Sequence, residues 1–241
     1  MLEIQDLYCG YGGEDILRGI TLQAAAGEFL CVAGPNGCGK STLLRAIARL
    51  LPFRGSITVE GRETAAFSRK ELARHIALLS QAAPLYFPYT VYDTVAMGRY
   101  AHRTGWFGGL DNTDKAAIEN ALATLNLNAL REESIEELSG GQLQLVFLAR
   151  TLAQDPRIIL LDEPTSHLDI KNQITLLDHL ATWVTAGQRA IIAVFHDLNL
   201  ARRYGTAAAL MAEGKITARG SAAEVFSGAN LAEVYDMDIA L

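Results

Sequence analysis

Hydrophobic positions follow two different rhythms along this chain. Over roughly the first eighty residues, short apolar runs are broken by turn residues, which is the pattern of β-strands. Leu2 to Leu7 and Ile16 to Leu22 read as strands either side of the turn Gly10-Tyr11-Gly12-Gly13. Phe29 to Ala33 is a third strand and stops at Gly34, a helical pattern runs from Lys40 to Leu50, and Ile57 to Val59 and Ile76 to Leu79 are further strands. From about Ala82 to Asp155 the strand signals cease. Helical periods take over around Val91 to Arg99, Asp111 to Leu125 and Gln142 to Gln154. Strands return at Ile158 to Leu161, Ile191 to Phe195 and Ala207 to Met211, interleaved with helices. This order predicts an α/β core, residues 1–81 and 155–241, interrupted by a helical insertion, residues 82–154. Apolar runs without polar alternation fit parallel strands covered on both faces.

Composition narrows the function classes. The 241 residues suit one domain with a sizeable insertion. The longest apolar runs fall far short of the roughly 18 residues that suggest a membrane span. The start, Met1-Leu2-Glu3-Ile4-Gln5-Asp6, has acid where a signal peptide has base, and no apolar core follows, so the chain is expected in the cytosol. A net charge of -6, without long runs of either sign, argues against a nucleic-acid partner. Cys9, Cys31 and Cys38 are too few and too irregular for a disulfide framework or a zinc site, and the five histidines are scattered.

Two segments carry chemistry. Gly34-Pro35-Asn36-Gly37-Cys38-Gly39-Lys40-Ser41-Thr42 matches the phosphate-loop pattern G-x-x-x-x-G-K-[ST] between a strand and a helix. Its glycines let consecutive N–H groups turn around an anion, and the following helix adds its positive end. Lys40 can reach the β- and γ-phosphates of ATP, and the Ser41 hydroxyl suits Mg²⁺. Cys38 has no evident base beside it and reads as a small filler. The strand Ile158-Ile159-Leu160-Leu161 ends in Asp162 and Glu163, beyond the carboxyl edge where α/β sheets bind ligands. Asp162 suits Mg²⁺, and Glu163 suits orienting and deprotonating an attacking water. A turn of negative charge stopped by Pro164 is the plainer reading of this pair; the phosphate loop upstream argues against it.

Leu138-Ser139-Gly140-Gly141-Gln142 resembles the signature of ATP-binding cassette ATPases and precedes the acidic strand as in that family. The resemblance covers the whole chain. It implies a P-loop NTPase (RecA-like) core with an N-terminal antiparallel β subdomain and an inserted α-helical subdomain bearing the signature. It implies that Tyr11 stacks on adenine, that Gln81 contacts Mg²⁺ and links the core to the insertion, and that His196 contacts the γ-phosphate. Ser166-His167-Leu168-Asp169 resembles the D-loop. By themselves, Tyr11 could be a turn tyrosine packed on the sheet, Gln81 a strand-end residue and His196 a core histidine; the strand end before His196 and the helix beginning at Asp197 favour its catalytic role. Ser139 with two glycines before a helix is a second anion site. The family resolves this duplication in a head-to-tail dimer. Each ATP there lies between the loop of one chain (Gly34, Asn36, Gly37, Cys38, Gly39, Lys40, Ser41, Thr42) and Ser139, Gly140, Gly141, Gln142 of the other, with Asp169 beside it.

The sequence departs from the family at Leu143 and Leu145, where many members have a basic residue, and at His167, where a small one is frequent. The group Glu132, Glu133, Glu136, Glu137 reads as a solvated face. Trp106-Phe107-Gly108-Gly109 is either a loop on its own subdomain or part of a permease contact. The resemblance implies a motor at the cytoplasmic face of the membrane, partnered by a second copy, by permease subunits and indirectly by a substrate-binding protein. Soluble cassette ATPases acting on DNA ends or ribosomes usually carry a coiled-coil insertion or a charged linker, and neither is present. A regulator without turnover would not need Glu163. Val194 to Ala201, Thr165 to Ile170 and Val95 to Arg99 resemble the type II importers of ferric siderophores, haem and cobalamin. Molybdate or another oxyanion is the alternative cargo, an exporter the distant one. Ala82 to Arg103 is expected to form the groove for a permease helix.

Overall fold

Strand β1 (Leu2–Tyr11) turns back on β2 (Glu14–Ala24) and pairs on its other side with β4 (Phe53–Val59), which carries the short β5 (Arg62–Glu63). This antiparallel sheet has the order β2-β1-β4-β5. The computed structural model describes residues 1–80, 88–103, 109–166 and 168–235. Gln81, Trp106, Phe107 and His167 therefore lie outside the described residues, as do residues 82–87 of the expected permease groove.

The second sheet is built from β3 (Phe29–Ala33), β6 (Ile76–Leu79), β7 (Ile158–Asp162), β8 (Ala190–Val194), β9 (Ala207–Ala212) and β10 (Lys215–Gly220). Its order is β10-β9-β3-β8-β7-β6, parallel except for β10, which returns antiparallel to β9. Every residue of β3 and β8 is buried. Alternate side chains serve opposite faces. Leu30, Val32, Leu160 and Ile192 join the apolar cluster shared with the first sheet, whereas Phe29, Cys31, Ile159 and Ile191 join the cluster beneath the helices. Two-sided burial explains why these strands read as continuous apolar runs.

The helices are α1 (Lys40–Ile47), α2 (Arg69–His75), α3 (Val91–Ala96), α4 (Asn112–Thr124), α5 (Gly140–Ala153), α6 (Ile170–Thr185), α7 (Leu198–Tyr204), α8 (Ala222–Val225) and α9 (Gly228–Tyr235). Of these, α3, α4 and α5 fall between β6 and β7, which are neighbours in register from Ile76 opposite Ile158. The helical stretch thus leaves and re-enters the sheet at one edge. Ser68, Asp111, Ser139 and Ser221 each close a capping box, which fixes the starts of α2, α4, α5 and α8.

Two expected helices end earlier than their apolar period. The first stops at Ile47 because Arg49 takes a left-handed backbone, φ 54°, and turns its guanidinium onto the carbonyls of Thr64 and Phe67 at 2.7 and 2.8 Å. The helix from Val91 stays α only to Ala96 and tightens to a 3₁₀ turn over Met97–Ala101. Within that turn Arg99 is buried and bonded to Asp114 and to the Ala153 carbonyl, so partners on other elements fix its place.

Candidate nucleotide site

The parallel sheet brings the carboxyl ends of β3, β8 and β7 side by side, and three functional segments emerge there. After β3 the chain forms the phosphate loop. Gly34 (φ 153°) lies so close to β9 that a Cβ would sit 2.1 Å from the Met211 carbonyl oxygen, and Gly39 caps α1 at φ 107°. Only glycine meets both demands. Lys40 is 6% exposed, and its ammonium donates to the carbonyls of Gly34 and Pro35 at 2.8 and 2.9 Å. The lysine thus lies folded across its own loop. Cys38 is buried, and burial pushes its thiol up, with the Lys40 charge pulling the other way. It behaves as the filler expected of it.

Asp162 ends β7, and its Oδ1 accepts a hydrogen bond from Ser41 at 2.9 Å. Burial raises the Asp162 carboxyl above the ordinary range and the neighbouring Glu163 adds to this, while Ser41, Arg45 and Lys40 pull it back. A hydroxyl and a carboxylate in contact form a hard-oxygen donor pair, which fits Mg²⁺. Glu163 follows with a left-handed backbone, φ 51°, a conformation that costs energy for a non-glycine residue. Its N–H donates to the Val194 carbonyl at 3.2 Å. The turn aims its carboxylate across the site, where Oε1 lies 2.5 Å from His196 Nε2 and Oε2 accepts from the Ser166 hydroxyl at 3.1 Å. His196 follows β8 just before Asp197, which caps α7. Glu163 and His196, chosen from separate strand ends in sequence, are thus in direct contact.

Tyr11 ends β1 with 46% of its surface exposed, and Arg45 of α1 donates to its hydroxyl at 3.0 Å. Sequence reading missed Arg45. The available signal was its spacing of four from Ser41, which puts both on one face of the helix.

Ser139, Gly140, Gly141 and Gln142 assemble separately. Ser139 and Gly140 are exposed at the start of α5, where Ser139 and Gln142 cap each other reciprocally at 2.9 and 3.3 Å. Gly141 is buried because Asn172 fills its side; a Cβ there would stand 2.4 Å from the Asn172 amide nitrogen. That amide donates to Asp169, the cap of α6, at 3.0 Å. The signature and Asp169 form one surface, and these bonds do not reach the phosphate loop. Leu143 and Leu145 pack against the apolar core, which accounts for leucine in place of base there. Glu132, Glu133, Glu136 and Glu137 are exposed.

Comparison with known proteins agrees with this arrangement. The family described as ABC transporter matches residues 17–166. The chain is 38% identical over 237 residues to the ferric enterobactin transport ATP-binding protein FepC of Escherichia coli, covering 97% of this chain and 86% of that one. It is 41% identical over 230 residues to the hemin import ATP-binding protein HmuV of Streptomyces coelicolor, covering 95% and 80%. Among solved structures, one described as an inward-facing metal-chelate type ABC transporter superposes with a TM-score of 0.86 at 29% identity, covering 98% of this chain and 89% of that chain. A dimeric ATP-binding cassette bound to ADP and phosphate superposes with a TM-score of 0.78 at 26% identity, covering 92% and 99%. Among the described residues no helix is long and apolar enough to cross a membrane. The chain belongs to the ABC transporter family and is one of its ATP-binding proteins.

Proposed function

We propose that this chain hydrolyses ATP as the paired motor of a type II importer of metal chelates, acting from the cytoplasmic face of the membrane on a many-helix permease. The observation that carries the hydrolytic part is the Glu163–His196 contact at 2.5 Å, beside the Ser41–Asp162 bond at 2.9 Å. Lys40 exchanges its own loop's carbonyls for the β- and γ-phosphates, and the loop N–H groups with the start of α1 hold the remaining phosphate oxygens. Tyr11 stacks on adenine with its open face. Ser41, Asp162 and Gln81 hold Mg²⁺, which when bound neutralises charge on the β- and γ-phosphates. Glu163 orients the attacking water and takes its proton; His196 fixes the Glu163 carboxylate and contacts the γ-phosphate.

The exposed signature supports a shared site. A capped helix start with its two glycines is built to receive an anion, yet its hydrogen bonds do not reach its own chain's loop. A second copy, placed head to tail, supplies the missing half. The cargo assignment rests on the relatives: FepC is named for ferric enterobactin and HmuV for hemin. Residues 82–103 are the segment assigned to the permease, because they follow Gln81.

The test is the ATPase rate of the reconstituted chain–permease complex with candidate binding proteins, each empty or loaded. Stimulation by a protein loaded with a siderophore or haem is the expected result. Stimulation by a loaded sugar, amino-acid or oxyanion binding protein, with none by a metal-chelate one, sinks the cargo and leaves the motor standing.

A further inference from the structure

Tyr11 stands at the mouth of a hairpin that does little to hold it. Gly12 and Gly13 follow it with positive φ, and built Cβ atoms at either position would touch nothing within 4 Å. The residue is 46% exposed. Without a fixed point a phenol on such a support would sample several rotamers, and fixing it would cost free energy at the moment of binding. Arg45 supplies a fixed point from another element. It lies on α1, the helix that the phosphate loop opens, and its Nη1 donates to the Tyr11 hydroxyl at 3.0 Å. α1 itself is held rigidly, with Leu43, Leu44, Ala46 and Ile47 in the core. Ser41 and Arg45 are one turn apart on its surface, so a single helix reaches the acidic strand end through Ser41 and the aromatic ring through Arg45.

We propose that Arg45 is a positioning residue for adenine recognition: it anchors the Tyr11 hydroxyl to α1, so that the ring stands in its stacking position before the nucleotide arrives. This rests on the assignment of Tyr11 to the adenine. The tether acts on the base end of the ligand, so its loss weakens nucleotides that carry a base and leaves the polyphosphate contacts unchanged. Tyr11→Phe removes the tether alone, whereas Arg45→Met also removes a charge that acts on Asp162. One hydrogen bond at a half-open site sets the effect at roughly two- to tenfold in affinity.

The experiment uses the full chain with Tyr11→Phe, Arg45→Met, the double variant and Tyr11→Ala. It measures KM and kcat for ATP, and inhibition by Mg²⁺-tripolyphosphate as a ligand without a base. Tyr11→Phe keeps the ring and removes the hydroxyl; it and Arg45→Met are expected to raise KM by a similar factor with kcat nearly unchanged. The double variant should be no worse than either single one, because both remove the same bond. Tripolyphosphate inhibition should be unchanged in Tyr11→Phe and Tyr11→Ala, which keep the Arg45 charge near Asp162. If Tyr11→Phe weakens tripolyphosphate along with ATP, the hydroxyl does not act on the base end, and that result overturns the proposal. So does full additivity in the double variant, or Tyr11→Phe behaving as the parent while Tyr11→Ala raises KM; in that last case stacking survives and the tether falls. If Tyr11→Ala leaves KM for ATP unchanged, the adenine assignment fails and the tether with it.

Discussion

Asp162 is the residue at which the fold pays most openly for function. Burial holds its carboxyl above the ordinary value of 3.8, and Glu163 next to it adds to the repulsion. A carboxyl raised on folding binds more protons in the native than in the unfolded chain. Its contribution to stability is therefore complete below 3.8 and lost as pH rises through the folded value. Asp162→Asn removes the charge and keeps an acceptor for Ser41. In Mg²⁺-free buffer the variant should melt above the parent at pH 7.5, with the gap closing as pH falls toward 3.8. Thermal midpoints across that range check this, and a constant gap, or a less stable variant at pH 7.5, counts against it. With nucleotide present, adding Mg²⁺ should raise the parental midpoint further and the variant's by less, because the carboxylate favours the ion more than the amide does. Glu163 has a different test. Glu163→Gln keeps an acceptor for Ser166 and the left-handed turn, yet cannot take a proton. ATP binding should persist and turnover should fall by roughly 10²- to 10⁴-fold. Single-turnover kinetics with bound ATP decide the matter, and parental turnover would remove Glu163 from its role.

At the scale of elements, what could be read from the chain depended on where the signal lay. β3 and β6 have the bounds that the apolar runs gave, since two-sided burial writes itself into consecutive residues. α2 carries one buried residue, Leu72, among charged ones, and β10 is an edge strand that shows no buried position, so neither had a pattern to find. The phosphate loop, the acidic strand end and the signature were legible because each is local. Arg45 with Tyr11, and Arg99 with Asp114, were not, because each pair joins residues from separate elements. The second pair is the polar tie of the helical insertion. Arg99 and Asp114 are 6% and 5% exposed in their side chains and bond at 2.8 Å, and Arg99 also donates to the Ala153 carbonyl of α5 at 2.8 Å. Burial works against the Asp114 charge, but bonds from Arg99 and the Asp111 backbone hold its carboxyl below the usual range. Its stabilisation is therefore present above 3.8 and lost as pH falls through the folded value. Arg99→Met strands a buried carboxylate and should cost about 3–5 kcal/mol. Arg99→Met with Asp114→Leu should recover much of that, since a buried apolar pair is often as stable as the ion pair it replaces. Urea midpoints at constant m-value measure both, and a loss under about 1 kcal/mol for Arg99→Met would mean the pair is solvated.

For the whole molecule, the structure poses a question of geometry. In the proposed function one chain has two anion-binding surfaces: the loop from Gly34 to Ser41, and the capped start of α5 at Ser139 with Asp169 bound to Asn172 beside it. If each surface worked alone, a defect in one would leave the other's function intact within the same chain. If they belong to opposite halves of a shared site, defects on different chains can be sorted by mixing. Ser139→Arg fills the signature surface with a bulky charge, and Lys40→Ala removes the ammonium proposed to bind phosphate. Each homodimer carries its defect in both sites and should be inactive. In a heterodimer of the two, both defects fall on the same sandwich, because the Lys40→Ala loop faces the Ser139→Arg signature. The opposite sandwich pairs a parental loop with a parental signature. Activity should therefore return on mixing, at no more than one working site in two. Purification through two different tags isolates the heterodimer, and its ATPase rate is compared with that of each homodimer. Silence in a heterodimer confirmed to contain both chains excludes one intact shared site acting independently; activity in the Ser139→Arg homodimer shows instead that the loop works without its partner's signature.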